Sequence, residues 1–214
     1  MKPPRASKVF PVAAHDHYEQ TPRISTPRLY LRPMTEGDAE LIVAWRSEPS
    51  TAAMFFSSPP TLQEHLDWFH SDREDRVDYV IAIAEERRPI GVVNFKNIDL
   101  SGGIAEGGKL LGDRSSRGKG YAKEAFAAWL LYGFGTLELE TIEVRTRADN
   151  SPNIGLNKRL GFTTDDKYTA RAGDGTQQTF LRMTLNRKAI QDHPYFHQID
   201  EQAYFERLPG NITQ

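Results

Sequence analysis

Arg117-Gly118-Lys119-Gly120-Tyr121-Ala122 is a glycine-rich turn carrying two cations. Gly118 and Gly120 permit backbone angles that a side chain forbids, and they let a ligand come close to the main chain. The turn runs into Ala122, Ala125, Phe126, Trp129, Leu130, Gly133 and Phe134, one face of a helix with 3.6 residues per turn. The first amides of such a helix have no partner within it and lie at the positive end of its dipole. Free amides opening a helix make a cradle for phosphate or pyrophosphate. The Gly-Lys-Ser/Thr ending of a P-loop is absent, as is any Gly-x-Gly-x-x-Gly. A glycine-rich helix start alone is often only a tight connection, so the reading needs agreement from the rest of the chain.

Other residues bear on chemistry. Glu106 is an acid inside a strand, which by itself reads as a solvent-facing glutamate. Asp99 and His65 are weaker candidates for chemistry, and His65 fits a packed or solvent-edge histidine better than a catalytic one. His193 and His197 have the i, i+4 spacing of a helical metal pair, but Pro194 stands between them and no third ligand pattern accompanies them. No metal is expected. The absence of cysteine rules out disulfides, a thiolate metal site and a cysteine nucleophile.

The elements that must hold these residues follow from pattern. Arg28–Pro33 is a short strand ended by proline, and Thr35 caps a helix through Arg46. Pro49 ends that helix, and an apolar loop, Ala52-Ala53-Met54-Phe55-Phe56, runs to Pro59-Pro60. This loop either plugs the core or walls a ligand pocket. Thr61 caps a second helix. Tyr79–Ala84, Ile90–Ile98 and Ile104–Leu111 form a meander of three strands, and the phosphate-turn helix follows. Glu140–Arg147 alternates as a strand, and because a full helix precedes it, it runs parallel to Ile104–Leu111. Asn153–Leu160 is a short helix closed by Gly161. Strands begin at Phe162 and, after an Arg171–Gln178 turn, at Thr179. Ile199–Leu208 is read as a last short helix.

With 214 residues, 38% hydrophobic and 26% charged, the chain can build one core plus extensions. A net charge of −2 gives no global case for nucleic acid or an anionic membrane. No apolar run is long enough to span a bilayer, and the first residues carry no secretory segment. The expected location is the cytoplasm.

Arg117-x-x-Gly120-x-Ala122 resembles the acetyl-CoA pyrophosphate loop of the Gcn5-related N-acetyltransferases (GNAT). Asn150-Ser151-Pro152-Asn153 followed by Lys158-Arg159-Leu160-Gly161-Phe162 resembles a second segment of that family. Two motifs joined by the right elements are far more specific than either alone. The resemblance covers residues 26–187, leaving an extended arm at 1–25 and a C-terminal extension at 188–214. Only a neighbouring subunit, as in a homodimer, would be expected to order the arm. The fold implied is α/β, the GNAT fold: a mixed, mostly antiparallel sheet of about seven strands whose central parallel β-α-β unit is splayed to hold acetyl-CoA.

The resemblance also implies how acetyl-CoA sits. Amides from Gly118, Lys119, Gly120, Tyr121 and Ala122 would hold the pyrophosphate, with charge from Arg117. The pantetheine arm would lie in the splay beside Leu110 and Leu111, touched by Asn150, Asn153 and Asn157. The amine would attack the thioester directly, with Glu106 as base. Many members place a tyrosine, as acid for the leaving thiolate, where this chain has Asn157, and asparagine cannot serve as that acid. Solvent, Tyr132 or Tyr168 remain open for the role.

For the acceptor, Thr26-Pro27-Arg28-Leu29-Tyr30-Leu31-Arg32-Pro33 resembles the branch that acetylates ribosomal-protein N-termini. Ala44-Trp45-Arg46, Glu64 to Phe69 and Ile90 to Phe95 are similar to acetyltransferases of nucleotide-linked amino sugars. That likeness makes Arg46, Met54, Phe55, Phe56, His65 and Asn94 the acceptor-side candidates, with rings to stack a base or sugar and Arg46 to hold phosphates. An amino-sugar nucleotide or other small amine is the leading expectation. A protein N-terminal amine and a catalytically silent CoA-binding domain are the alternatives.

Overall fold

The computed structural model describes residues 23–71, 74–171 and 176–205. Its strands are β1 (Ile24–Ser25), β2 (Leu29–Pro33), β3 (Val77–Ile83), β4 (Arg88–Asp99), β5 (Ile104–Leu111), β6 (Thr141–Arg147), β7 (Thr163–Arg171), β8 (Gln177–Asn186) and β9 (Tyr204–Phe205). The helices are α1 (Ala39–Ser47), α2 (Pro49–Ala52), α3 (Leu62–His70), α4 (Tyr121–Gly135), α5 (Ser151–Arg159), α6 (Arg187–Gln191) and α7 (Pro194–Gln202). One sheet runs in the order β7-β8-β6-β5-β4-β3-β2-β1-β9. The seven expected strands are present, and the two-residue strands β1 and β9 extend one edge. Among the described residues no helix is long and apolar enough to cross a membrane.

Among the described strands only β5 and β6 pair in parallel, because α4 carries the chain back between them. They pair over three positions, ending at Glu106 opposite Glu143. Beyond that point β5 stays with β4 as far as Leu111 opposite Gly91, and β6 stays with β8 as far as Arg147 opposite Phe180. The two strands therefore part, and a cleft opens along Gly107–Leu111. This is the expected splay.

Two apolar layers cover the sheet. Ala105, Phe126, Trp129, Ile142 and Val144 belong to the core beneath α4, while Met34, Ile42, Phe69, Val80 and Val92 pack on the opposite face under α1 and α3. Residues Ala125 to Leu130 are wholly buried, so α4 is apolar on more than the stripe its sequence suggests. The cause is α7, whose Phe196 and Ile199 join the same core.

Three expectations need correction. The C-terminal helix is Pro194–Gln202 rather than Ile199–Leu208, because Pro194 occupies its first turn and the His193 ring accepts from the Tyr195 amide as a cap. Residues 206–208 lie outside the described ones. Pro49 does not simply lead into a loop: it opens α2, capped by the Glu48 carboxylate at the Thr51 amide. The N-terminal arm was drawn through residue 25, yet Ile24 is fully buried in β1. The arm's first 22 residues lie outside the described ones.

Glu124, in the first turn of α4, ties the helix to the start of β2. Its carboxylate accepts from Thr26 Oγ1 at 2.6 Å, Arg28 N at 3.2 Å and Arg28 Nε at 2.7 Å. The side chain is 5% exposed, whereas Arg28 keeps 48%. Glu124→Ala would strand these donors under the helix. An expected loss of about 2 kcal/mol follows, at the low end for a buried pair because Arg28 is half in solvent. Urea denaturation measures it, and an unchanged midpoint would refute the assignment.

Candidate active site

The glycine turn is built from both ends. Gly118 has φ +77° and Gly120 φ +82°, both left-handed, and Gly120 stands directly before α4. A side chain at Gly118 would meet nothing within 4 Å, so the turn stands open. The amides of Gly118, Lys119 and Gly120 donate to no described backbone carbonyl. Arg28 Nη1 donates to the Lys119 carbonyl at 3.0 Å, so the ion pair that anchors α4 also fixes the turn. An anion would meet these amides and the exposed Lys119 at the helix start.

Arg117 behaves differently. Its Nη2 donates to Thr51 Oγ1 at 3.2 Å and its Nε to the Leu111 carbonyl at 3.4 Å. The guanidinium thus braces the turn against α2 and the end of β5. Behind it, Asp113 accepts from Arg88, Ser115 and Ser116, which hold its carboxyl well below the usual range against the opposing effect of burial.

At the end of β5, Leu110 packs under α1 and α3 and Leu111 on the α4 side. On the far bank, the Asn150 side chain caps α5 at the Asn153 amide (3.3 Å), and Asn153 Nδ2 donates to Thr146 Oγ1 at 3.0 Å. Asn157 is fully buried. Its Oδ1 accepts from Lys109 Nζ at 2.6 Å and its Nδ2 faces Met183 Sδ at 3.8 Å.

Glu106 sits where the strands part. It is 8% exposed, with Oε1 2.9 Å from Lys96 Nζ, and Oε2 3.5 Å from Arg145 Nε and 3.3 Å from Asn97 Nδ2. Asp99 is spent on the Ser101 and Gly102 turn. Tyr132 lies in the core, stacked on Trp129 with centroids 5.0 Å apart, and burial pushes its hydroxyl up to about 12. It is not at the cleft, which removes it as thiolate acid.

The acceptor-side candidates gather on the face opposite α4. Phe56 stacks on Phe180 with centroids 3.9 Å apart, Arg46 lies 4.6 Å from the Phe55 ring centre, and Arg147 Nη1 donates to the Ala53 carbonyl at 2.6 Å. The 52–56 segment is therefore packed against β6 and β8, with Met54 38% exposed. His65 is buried against Trp68, a packing position. Four polar atoms on this face are buried with no hydrogen-bond partner among the described residues: Arg46 Nε, Asn94 Oδ1, Tyr168 OH and Arg182 Nε. Burial raises the Tyr168 hydroxyl, while Arg145 and Arg182 oppose that shift.

Sequence pattern alone missed Lys109, Arg145 and Arg182. Strand alternation places Arg145 and Arg182 on one face, directly opposite each other across β6 and β8, but no short motif marks them. Among the described residues no group of acids and histidines could hold a metal.

A family model described as an acetyltransferase (GNAT) domain matches residues 28–163. The chain is 32% identical over 143 residues to an uncharacterized N-acetyltransferase, p20, of Bacillus licheniformis, spanning 64% of this chain and 80% of that protein. It is 25% identical over 178 residues to human alpha/beta-tubulin-N-acetyltransferase 9, covering 77% of this chain and 81% of that one. A solved structure of spermidine N-acetyltransferase from Vibrio cholerae, in complex with CoA and spermine, superposes with a TM-score of 0.68 at 22% identity. That match covers 75% of this chain and 96% of the other, a likeness of fold.

Proposed function

The chain belongs to the GNAT acetyltransferase family, and from that premise we propose that it acetylates the primary amine of a small anionic molecule, first among them a nucleotide-linked amino sugar. The enzyme is an acetyl-CoA-dependent N-acetyltransferase. The free amides of the glycine turn and the parted strands fit the donor, a phosphate-bearing molecule with an extended arm. In this reading Gly118, Lys119 and Gly120 bind the pyrophosphate. Unpaired backbone on Gly107–Leu111 takes the arm as an added strand. Glu106, at the apex of the cleft, draws in the amine and accepts its proton as nitrogen attacks the thioester carbonyl.

The observation that carries the acceptor class is the set of unpartnered polar atoms on the face opposite α4. Arg46 Nε and Arg182 Nε are buried donors that no described protein oxygen satisfies, and buried donors left unpaired are costly. An anionic group of the acceptor would satisfy them, and the Phe56–Phe180 stack offers a platform for a ring. A polyamine would meet these arginines as a like charge.

The name of the human relative, a tubulin N-acetyltransferase, supports a second reading in which the acceptor is an amine of a protein. Release of CoA thiol separates the two, and with no cysteine in the chain a thiol reagent has no protein background. Nucleotide-linked amino sugars are expected to be turned over. Arg182→Ala should raise their KM about 10-fold, the worth of a charged hydrogen bond, with little change for the uncharged amino sugar. Turnover confined to N-terminal peptides or polyamines would overturn the anionic-acceptor reading.

A further inference from the structure

Direct transfer leaves a thiolate that needs a counter-charge and a proton. Asn157 cannot give one, Tyr132 is locked in the core, and Tyr168 lies on the acceptor face. Lys109 lies on the opposite face of β5, two residues on from Gly107, where β6 has already parted from β5. Its Nζ is 2.6 Å from Asn157 Oδ1 and 3.9 Å from the centre of the Phe126 ring. No described carboxylate pairs with it. Lys109 is thus held by a carbonyl and a ring, with no described carboxylate to neutralise its charged form.

The elements around it offer no rival acid. On α4, Glu124 is committed to Arg28, and Lys123 lies over the Tyr195 ring. On α5, Lys158 and Arg159 are exposed at the surface. From β6, Thr146 accepts from Asn153, and β8 presents Met183. The mutual geometry of Lys109 and Asn157 thus gives a donor side chain a fixed orientation, the arrangement a positioned acid needs.

We propose that Lys109, oriented by the Asn157 side-chain carbonyl, is the group that stabilises and protonates the departing CoA sulfur. The proposal rests on the acetyl-transfer reading and deepens it. As the amine nitrogen bonds to the carbonyl carbon, the C–S bond breaks and its electron pair goes to sulfur. Sulfur takes a proton from the Lys109 ammonium, the surplus proton of the new amide leaves from nitrogen to Glu106, and solvent returns the enzyme to its starting protonation. The sum is amine plus thioester giving amide plus thiol. Burial pulls the Lys109 ammonium down to about 7, which suits proton release near neutral pH.

The test reads the thiol as well as the rate. CoA and desulfo-CoA are bound to the wild type, Lys109→Met and Lys109→Arg, and the ultraviolet absorbance of thiolate is followed with pH. In the wild type, bound CoA should ionise at lower pH than free CoA, because a cation beside sulfur favours the thiolate. Lys109→Met should abolish that shift and lower kcat about 100-fold, with desulfo-CoA affinity unchanged. Lys109→Arg should keep the shift without restoring kcat, since guanidinium holds its proton. Full kcat in either variant, or an unaltered thiolate shift in Lys109→Met, would overturn the proposal. If the wild type bound neither ligand, the acetyl-donor reading would fall with it.

Discussion

Replacing Gly120 with glutamate is expected to abolish acetyl-CoA binding in a protein that still folds. Gly120 precedes α4 with φ +82°, a region L side chains rarely adopt, so any substitution there is strained by about 1–2 kcal/mol. Glutamate adds a carboxylate at the mouth of a cradle whose function is to hold another anion. Built at this position, a Cβ lies 3.4 Å from Arg28 Nη2, the arginine that fixes the turn through the Lys119 carbonyl. A new carboxylate would compete for that guanidinium and loosen the turn while repelling phosphate. Together these effects should weaken affinity about 100-fold or more, roughly 3 kcal/mol. Calorimetry checks this, with Gly120→Ala as the control for strain without charge. Unchanged affinity in a folded Gly120→Glu protein would remove the pyrophosphate assignment.

The same turn shows what a sequence makes legible. Glycines that need positive φ, a capping threonine at 61 and the glycine that ends α5 each act within a few residues, so local pattern identifies them. The bounds of β5 were readable for the same reason, a strand between a glycine turn and the next. Interactions across the fold were not. Arg28 and Glu124 are 96 residues apart, and Lys109 and Asn157 are 48 apart. Alternation along β5 puts Lys109 on the α4 side, but it cannot say that an asparagine waits there. Arg117 illustrates the converse: its place in the motif suggests a phosphate contact, but the sequence gives no sign that its guanidinium also reaches Thr51 in α2. The role of α7 was hidden because two apolar residues, Phe196 and Ile199, make too short a pattern to detect.

Glu106→Gln tests the chemistry at the apex of the cleft, and its expected effect is on turnover rather than on donor binding. The carboxylate stands between Lys96 and Arg145 on the acceptor side of the sheet. The amide keeps nearly the same shape, but its NH2 cannot accept, so the donors on one side, Lys96 or the pair Arg145 and Asn97, lose their acceptor. The charge changes as well. Without the carboxylate, Lys96 and Arg145 face the cleft uncompensated, and an incoming amine loses both its attraction and the acceptor of its proton. A fall in kcat of about 100-fold is expected, with acetyl-CoA affinity within a few-fold of wild type because the turn and the arm-binding strand lie further along. A higher KM for the amine should accompany it, since the two exposed cations repel an ammonium. Full turnover in Glu106→Gln would show that solvent removes the proton and that the Glu106 carboxylate serves only to hold β4 and β6 together through Lys96 and Arg145.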